Sequence, residues 1–200
     1  MAQSTQADSA ETRPIEDQLR ECFGRVVYAH KAHEKTADLL VKRLARIKVA
    51  QIVLSAVITA GLLKTLIGPP DKGTSAAVVA ALLSTVLLAV NTYTKDVDLG
   101  QSAERHKETA ARLWAVRESY LSLLTDLRSK TITIEEARER RDQLQCKLEE
   151  IYATAPRTLD AAYKKAGLAL KEREELTFSE GEIDRFLPAS LRRVPNKEEG

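Results

Sequence analysis

The sequence has few of the residues that sheets, disulfide frameworks and cysteine metal sites require. Of its 200 residues, only 4% are aromatic, 8 are glycine and 2 are cysteine. Scarce aromatics and glycines argue against sandwiches and barrels, which depend on them in strands and tight turns. Cys22 and Cys146 lie far apart in segments that favour helix, so no disulfide framework or cysteine metal site is predicted and a reducing compartment is expected. The fold class expected from these absences is all-α.

An excess of charge and the common catalytic motifs are also missing. The 31 lysines and arginines are nearly balanced by 29 aspartates and glutamates, a net charge of +2. This balance does not supply the basic surface that tracks phosphates, so no nucleic acid partner is expected. The sequence contains no P-loop, no GxGxxG, no CxxC and no HExxH motif. We therefore expect no catalytic residues, no metal, no cofactor and no enzymatic activity.

Two long blocks have no charged residue, namely Val49 to Leu63 and Thr74 to Thr94. As a helix, the second block can cross a hydrocarbon core of about 30 Å, and the first does so if Lys64 snorkels and the segment extends to residue 67. The GPPDKG segment between them cannot continue a helix and predicts a tight reversal. A buried hairpin of a soluble bundle is the alternative, but both blocks are apolar on every face and the chain is too short to cover them. We therefore predict a transmembrane hairpin with spans at about 49–67 and 74–94.

The distribution of basic residues predicts the orientation of this hairpin. Six basic residues precede the first span, four follow the second, and the connecting loop has only Lys72. The positive-inside rule then places both termini in the cytoplasm and the protein in the cell inner membrane as a multi-pass protein. Residues 1–14 have no apolar core typical of a signal peptide and are interpreted as a disordered lead. Residues 193–200 are interpreted as a disordered tail.

Apolar residues at alternating spacings of three and four continue on both sides of the spans. They predict cytoplasmic helices at about 15–48 and 95–129 that run into the spans without a break. Capping-box patterns at Thr133 and Ser179 predict helices at about 134–153 and 180–187, and a further helix is expected at about 156–175. Residues 15–192 are thus expected to form one domain, a two-helix transmembrane hairpin whose helices extend into a cytoplasmic helical bundle.

Three histidines lie on the predicted apolar seams. His30 and His33 are three residues apart on one helix, and the hairpin would bring His106 to a similar depth. Convergent imidazoles can bind a metal or sense protons. Buried histidines more often serve as hydrogen-bonded interior residues, so a proton-sensing cluster is kept only as one interpretation.

The spans themselves carry polar and small residues in rows. Gln51, Ser55 and Thr59 follow an i, i+4, i+8 pattern, which places them on one helix face, and Lys64 follows near the outer end. These four residues are the pore-lining candidates. Candidate helix-packing residues in the second span are Ala77, Ala81, Ser84 and Thr85, because small residues let helices approach closely. The polar stripe either joins the two spans or lines water in an oligomer, since two helices cannot enclose a pore.

Several segments resemble a known family. They are ERHKETAARLWAVRESYLSLL from Glu104 to Leu124, YATAPRTLDAAYKKA from Tyr152 to Ala166, and the closing FSEGEIDRFLP. Together with the two spans and the short loop, they are similar to the SLATT family of SMODS- and SLOG-associating two-transmembrane effectors, from about Leu19 to Arg193. The resemblance implies a membrane effector of prokaryotic conflict systems that forms an oligomeric pore and damages its own cell on infection.

The same resemblance implies partners. They are membrane lipid, further copies of the chain, and a nucleotide second messenger or a nucleotide-sensing partner protein. A membrane-anchored adaptor with a cytoplasmic interaction bundle remains the alternative function, and a soluble all-α interaction module is a further one.

Overall fold

The computed structural model describes residues 2–67, 73–179, 182, 183 and 185, with side chains from residue 13 onward except at 73, 74 and 76. Within these ranges the chain forms five α-helices and no strand. They are α1 (Ala2–Ile67), α2 (Gly73–Asp96), α3 (Leu99–Arg128), α4 (Ile134–Thr154) and α5 (Asp160–Lys171). The all-α prediction is confirmed.

Helix α1 is a single helix of 66 residues that serves both the bundle and the first span. At a rise of about 1.5 Å per residue it is about 100 Å long. It begins at Ala2 and contains Pro14, so it includes nearly all of the lead that the sequence predicts to be disordered. Three alanines and two glutamines in that segment favour helix, although Pro14 removes one hydrogen bond of the helix backbone.

Helices α1 and α2 form an antiparallel hairpin. Gln51 of α1 forms a hydrogen bond with Asn91 near the end of α2. Further along α1, a Cβ added at Gly61 would lie 3.8 Å from the Ala80 Cβ, near the start of α2. Each span contains an 18-residue window with a mean hydropathy of 1.8, of which only 6% is buried in the protein. Core helices of a soluble bundle would be mostly buried, so the hairpin and its membrane-spanning character agree with the prediction. The loop residues 68–72 lie outside the described residues.

The sequence predicts that the second span continues into the bundle as one helix, but the structure shows a break between them. Helix α2 ends at Asp96, and α3 begins at Leu99. Asp98 is the N-cap of α3, where its carboxylate accepts a hydrogen bond of 2.8 Å from the backbone N–H of Gln101. An aspartate side chain competes for backbone N–H groups in this way and favours a new helix start over continuation.

Outside the spans, α3 packs along α1 and α4 packs on α3 to complete the core of a helical bundle. The core cluster includes Leu19 and Val26 of α1, Leu113 and Tyr120 of α3, and Leu144 of α4. The predicted capping box of α4 is confirmed, because Thr133 and Glu136 exchange hydrogen bonds between side chain and backbone.

Helix α5 is shorter than the predicted helix at 156–175. It spans Asp160–Lys171, because the backbone before it is extended and passes through Pro156. This connection is held on α1, where the backbone N–H of Leu159 donates to the hydroxyl of the fully buried Thr36 at 3.4 Å. In the predicted helix 180–187 only residues 182, 183 and 185 are described, and they are helical. The expected cap is present, since the backbone N–H of Ser179 donates to Glu182 at 2.8 Å.

An ion-pair network holds the segment after α5 against α1. Lys31 and Lys35 each place Nζ 2.9 Å from the carboxylate of Glu175. Their hydrogen bonds lower the pKa of Glu175 to about 2. The network keeps α5 and its following segment in place beside α1, which creates a concave surface between them.

Candidate functional site

A polar contact joins the two spans near the end of the hairpin that adjoins the bundle. The side-chain amide of Gln51 donates to the Asn91 Oδ1 at 2.8 Å and to the Thr94 hydroxyl at 3.4 Å. An amide in a hydrocarbon environment requires such partners, because leaving it unpaired there is costly. Of the pore-lining candidates, Gln51 therefore also connects the spans within one chain.

Among the described side chains of α2, none is hydrogen-bonded to the side chains of Ser55 and Thr59. Both are exposed, and the Thr59 hydroxyl donates to the Ser55 carbonyl of its own helix at 2.9 Å. Lys64 is also exposed, in the last turn of α1. The polar stripe thus begins in the contact between the spans and continues onto the outside of the hairpin.

The small residues predicted to pack the helices do not face α1. Ala77, Ala81, Ser84 and Thr85 are all exposed, whereas Ala80 is only 3% exposed and lies against Gly61. The contact face of α2 follows alternating spacings of three and four from Ala80, and its members are buried or half-buried: Ala80, Leu83, Leu87, Val90 and Thr94. The four predicted residues lie off this face, so the prediction is corrected for contacts within one chain.

Six polar or small residues of the two spans lie on one side of the hairpin. Each residue advances the helix by about 100°, so Ser55 and Thr59 lie about 40° and 80° beyond Gln51 on α1. On α2, Ser84 and Ala81 lie about 40° and 100° beyond Ala80. In an antiparallel pair, the same sense of rotation away from the contact leads to the same side of the pair. We call this side the polar flank, defined by Gln51, Ser55, Thr59, Ala77, Ala81 and Ser84.

The opposite side of the hairpin is apolar along its middle and carries Lys64 and Ser75 near the loop. By the same geometry it carries Val53 and Val57 of α1 with Val79 and Val86 of α2, all of which are exposed. The two flanks therefore differ in the middle of the hairpin: one presents valines, and the other presents hydroxyl groups and small residues beside exposed leucines such as Leu62 and Leu88.

The bundle brings the three histidines to one region between α1 and α3. The Nδ1 atoms of His33 and His106 are 2.9 Å apart, and the two residues are 4% and 2% exposed. His30 does not join this pair, because its Nδ1 donates to the Ala110 carbonyl at 2.9 Å. Among the described residues, no group of three or more histidine, cysteine or acidic side chains is arranged to hold a metal.

Burial keeps the histidine pair uncharged at neutral pH. It lowers the pKa of His33 from 6.5 to about 4, and repulsion from His106 and His30 adds to the effect. Burial also lowers the pKa of His106. The hydrogen bond between the two rings requires at least one neutral imidazole as acceptor, because a ring protonated at both nitrogens can only donate.

Acidification should therefore destabilise the bundle. His33 of the unfolded chain is protonated below about pH 6.5, whereas His33 of the folded chain is protonated only near pH 4. The stabilisation that the neutral His33 contributes above pH 6.5 is therefore lost as the pH falls to 4. This shift corresponds to a loss on the order of 3 kcal/mol. The melting temperature of the full chain in detergent, measured across this range, should fall more steeply for the native protein than for His33→Gln. If the melting temperatures of the two proteins fell equally with pH, the result would contradict a stabilising role of the neutral His33.

Two apolar helices that continue into an all-α helical bundle define a two-span membrane protein. The chain matches the sequence model of the SMODS and SLOG-associating 2TM effector domain family 4 over residues 15–182. It therefore belongs to this SLATT family and is a membrane effector of conflict systems, as the resemblance implied. No curated protein and no solved structure matches the chain.

Proposed function

We propose that the chain assembles in the cell inner membrane, with both termini in the cytoplasm, into a pore that permeabilises the membrane in response to a nucleotide-linked signal. In this proposal its partners are lipid, further copies of itself, and a nucleotide second messenger or a nucleotide-sensing protein. The consequence for the cell is abortive infection during antiviral defence. The chain contributes no enzymatic step and requires no cofactor or nucleic acid.

The polar flank is the observation that carries this proposal. In an isolated hairpin, the exposed Ser55 and Thr59 would face lipid, because no described side chain of α2 covers or bonds their hydroxyls. An assembly that turns the polar flanks inward places these hydroxyls against water and leaves the valine side to lipid. Because no charged residue lies within either apolar block, such a lumen suits a weakly selective pore rather than a pump or coupled transporter.

Leakage from liposomes tests the proposal directly. The purified full chain, reconstituted into dye-loaded vesicles, should release the dye, and release should rise more steeply than the protein concentration because several copies form one pore. Correct insertion without leakage would contradict the pore and is the result expected for a membrane-anchored adaptor.

The proposed orientation predicts opposite labelling of two positions. Asp71 and Asn196 lie outside the described residues, one in the loop between the spans and one near the C-terminus. In a background without Cys22 and Cys146, Asp71→Cys should react with a membrane-impermeant thiol reagent on intact cells, while Asn196→Cys should react only after lysis. The reverse pattern would contradict the cytoplasmic placement of the termini.

A further inference from the structure

The cytoplasmic bundle contains an open groove that is remote from the polar flank. It lies between α1, the connection from α4 to α5, and α5 itself, with a volume of about 1000 Å³. That volume is at the upper end of the range for small-molecule sites, about 300 to 1000 Å³. Its chemically distinctive lining residues are Arg25, Tyr28, Tyr152, Arg157, Tyr163 and Lys171. We call this the cytoplasmic groove.

One wall of the groove is aromatic. The rings of Tyr28 and Tyr163 have centroids 4.6 Å apart at an angle of 47°, and the Tyr28 hydroxyl donates to the Tyr163 carbonyl at 3.1 Å. Gly167 permits this arrangement, because a Cβ there would lie 2.8 Å from the Tyr28 hydroxyl oxygen. Tyr163 is nevertheless 56% exposed, and Tyr152 is 46% exposed. Tyrosine faces held in this way can stack on a planar ring.

The groove also carries cations that are not neutralised within the described chain. Arg157 and Lys171 have no ion-pair partner among the described residues, whereas Arg25 is held by Glu21 at 3.0 Å. Glu21 and Asp160 are the acidic residues in the lining. A guanidinium and an ammonium that are both free to bind are typical ligands of phosphate groups.

We infer that the cytoplasmic groove binds a phosphorylated nucleoside. Its base lies against the exposed tyrosines, and its phosphates contact Arg157 and Lys171. The inference deepens the proposed function and rests on it for its consequence: Tyr28 and Gln51 belong to the same continuous helix, so a ligand in the groove contacts the element that carries the polar flank.

Calorimetry on the full chain in detergent tests this site with ATP, GTP, cyclic di-AMP and cyclic di-GMP as probes. At least one should bind with a dissociation constant below about 1 mM. Adenosine and tripolyphosphate, which each supply only half of the recognised chemistry, should bind more weakly than that nucleotide. Failure of all four nucleotides to bind, or equally tight binding of tripolyphosphate, would overturn the inference.

Two charge reversals distinguish nucleotide binding in the groove from a general effect of surface charge. Arg157→Glu should weaken binding of the best nucleotide by about tenfold or more, since it replaces a phosphate partner by a repulsive charge. Lys164→Glu makes the same change in charge at an exposed position of α5 that does not line the groove, and should leave the affinity nearly unchanged. Equal weakening by both variants would overturn the site.

These measurements distinguish failure of the site from failure of the pore. Nucleotide binding that depends on Arg157, in a protein that never permeabilises liposomes, would support the groove and contradict the pore. Leakage from liposomes by a protein that binds no nucleotide would support the pore and overturn the groove.

Discussion

Replacing Leu113 by aspartate should unfold the cytoplasmic bundle and abolish effector activity. Leu113 is 0% exposed and lies in the core cluster with Val26 and Tyr120. The substitution removes apolar contacts and places a carboxylate without a partner in the core, which costs at least about 3 kcal/mol. Thermal unfolding of the full chain in detergent should show a large fall in melting temperature, with loss of the near-ultraviolet signal of Trp114.

Glu108→Lys is the matched control for this change. Glu108 is exposed on the same helix, five residues before Leu113, so a reversal of its charge should alter the free energy of unfolding by less than about 0.5 kcal/mol. Comparable losses of stability in the two variants would contradict the burial of Leu113 and the exposure of Glu108 on α3.

Replacing Ser55 and Thr59 together by leucine should reduce leakage from liposomes to the level of protein-free vesicles. Both residues belong to the polar flank, and leucine makes a lumen built from this flank apolar, which favours dewetting. Leucine also favours insertion of the span into the bilayer, so the amount of membrane protein should not fall. Dye release and oligomer mass in detergent should be measured on the same preparation.

A control on the other side of the hairpin makes this result specific. Val53→Leu with Val57→Leu enlarges exposed residues of the apolar side of the same helix, and leakage should be retained. If Ser55 and Thr59 instead pack against a neighbouring copy, the larger leucines should lower the oligomer mass together with the leakage. Unchanged leakage and unchanged mass in the double leucine variant would contradict both roles of the polar flank.

The features predictable from the sequence are those set by local pattern. The absence of charge from Val49 to Leu63 and from Thr74 to Thr94 indicates the spans, because hydrocarbon excludes charge regardless of tertiary context. The capping box of Thr133 and Glu136 depends on residues three positions apart and was equally predictable. The three histidines were predicted to share one region, and the seams on α1 and α3 were sufficient for that.

The features that depend on contacts between distant residues were not predictable. The small residues Ala77, Ala81 and Thr85 form a row that indicates a packing face, yet which row faces α1 depends on the rotation of both helices, and the structure selects Ala80. The pairing of His33 with His106 and the exclusion of His30 depend on the register of α3 against α1. The cytoplasmic groove was also missed, because its tyrosines and basic residues come from segments more than 100 positions apart in the chain.

The break at Asp98 was missed for a different reason. Aspartate is tolerated in an exposed helix position, and the apolar spacing on either side of it continues, so the pattern alone favours one helix. The side chain nevertheless caps α3 through the N–H of Gln101, and Leu99 is buried in a small cluster with Leu40 and Ala103. A local signal of this kind identifies a helix start only when the residues that follow it are known to pack there.

The two arms of the hairpin, α1 and the α2–α3 pair, differ in how they transmit rotation from the bundle to the spans. Helix α1 is continuous from the bundle to Ile67, so a twist of its bundle part about the helix axis turns Gln51, Ser55 and Thr59 by a similar angle. The other arm is interrupted between Asp96 and Leu99, so no continuous helix backbone transmits a rotation of α3 to α2. The hairpin thus has one torsionally stiff arm and one compliant arm, and a twist that starts in the bundle moves the serine and threonine side of the polar flank relative to the alanine side.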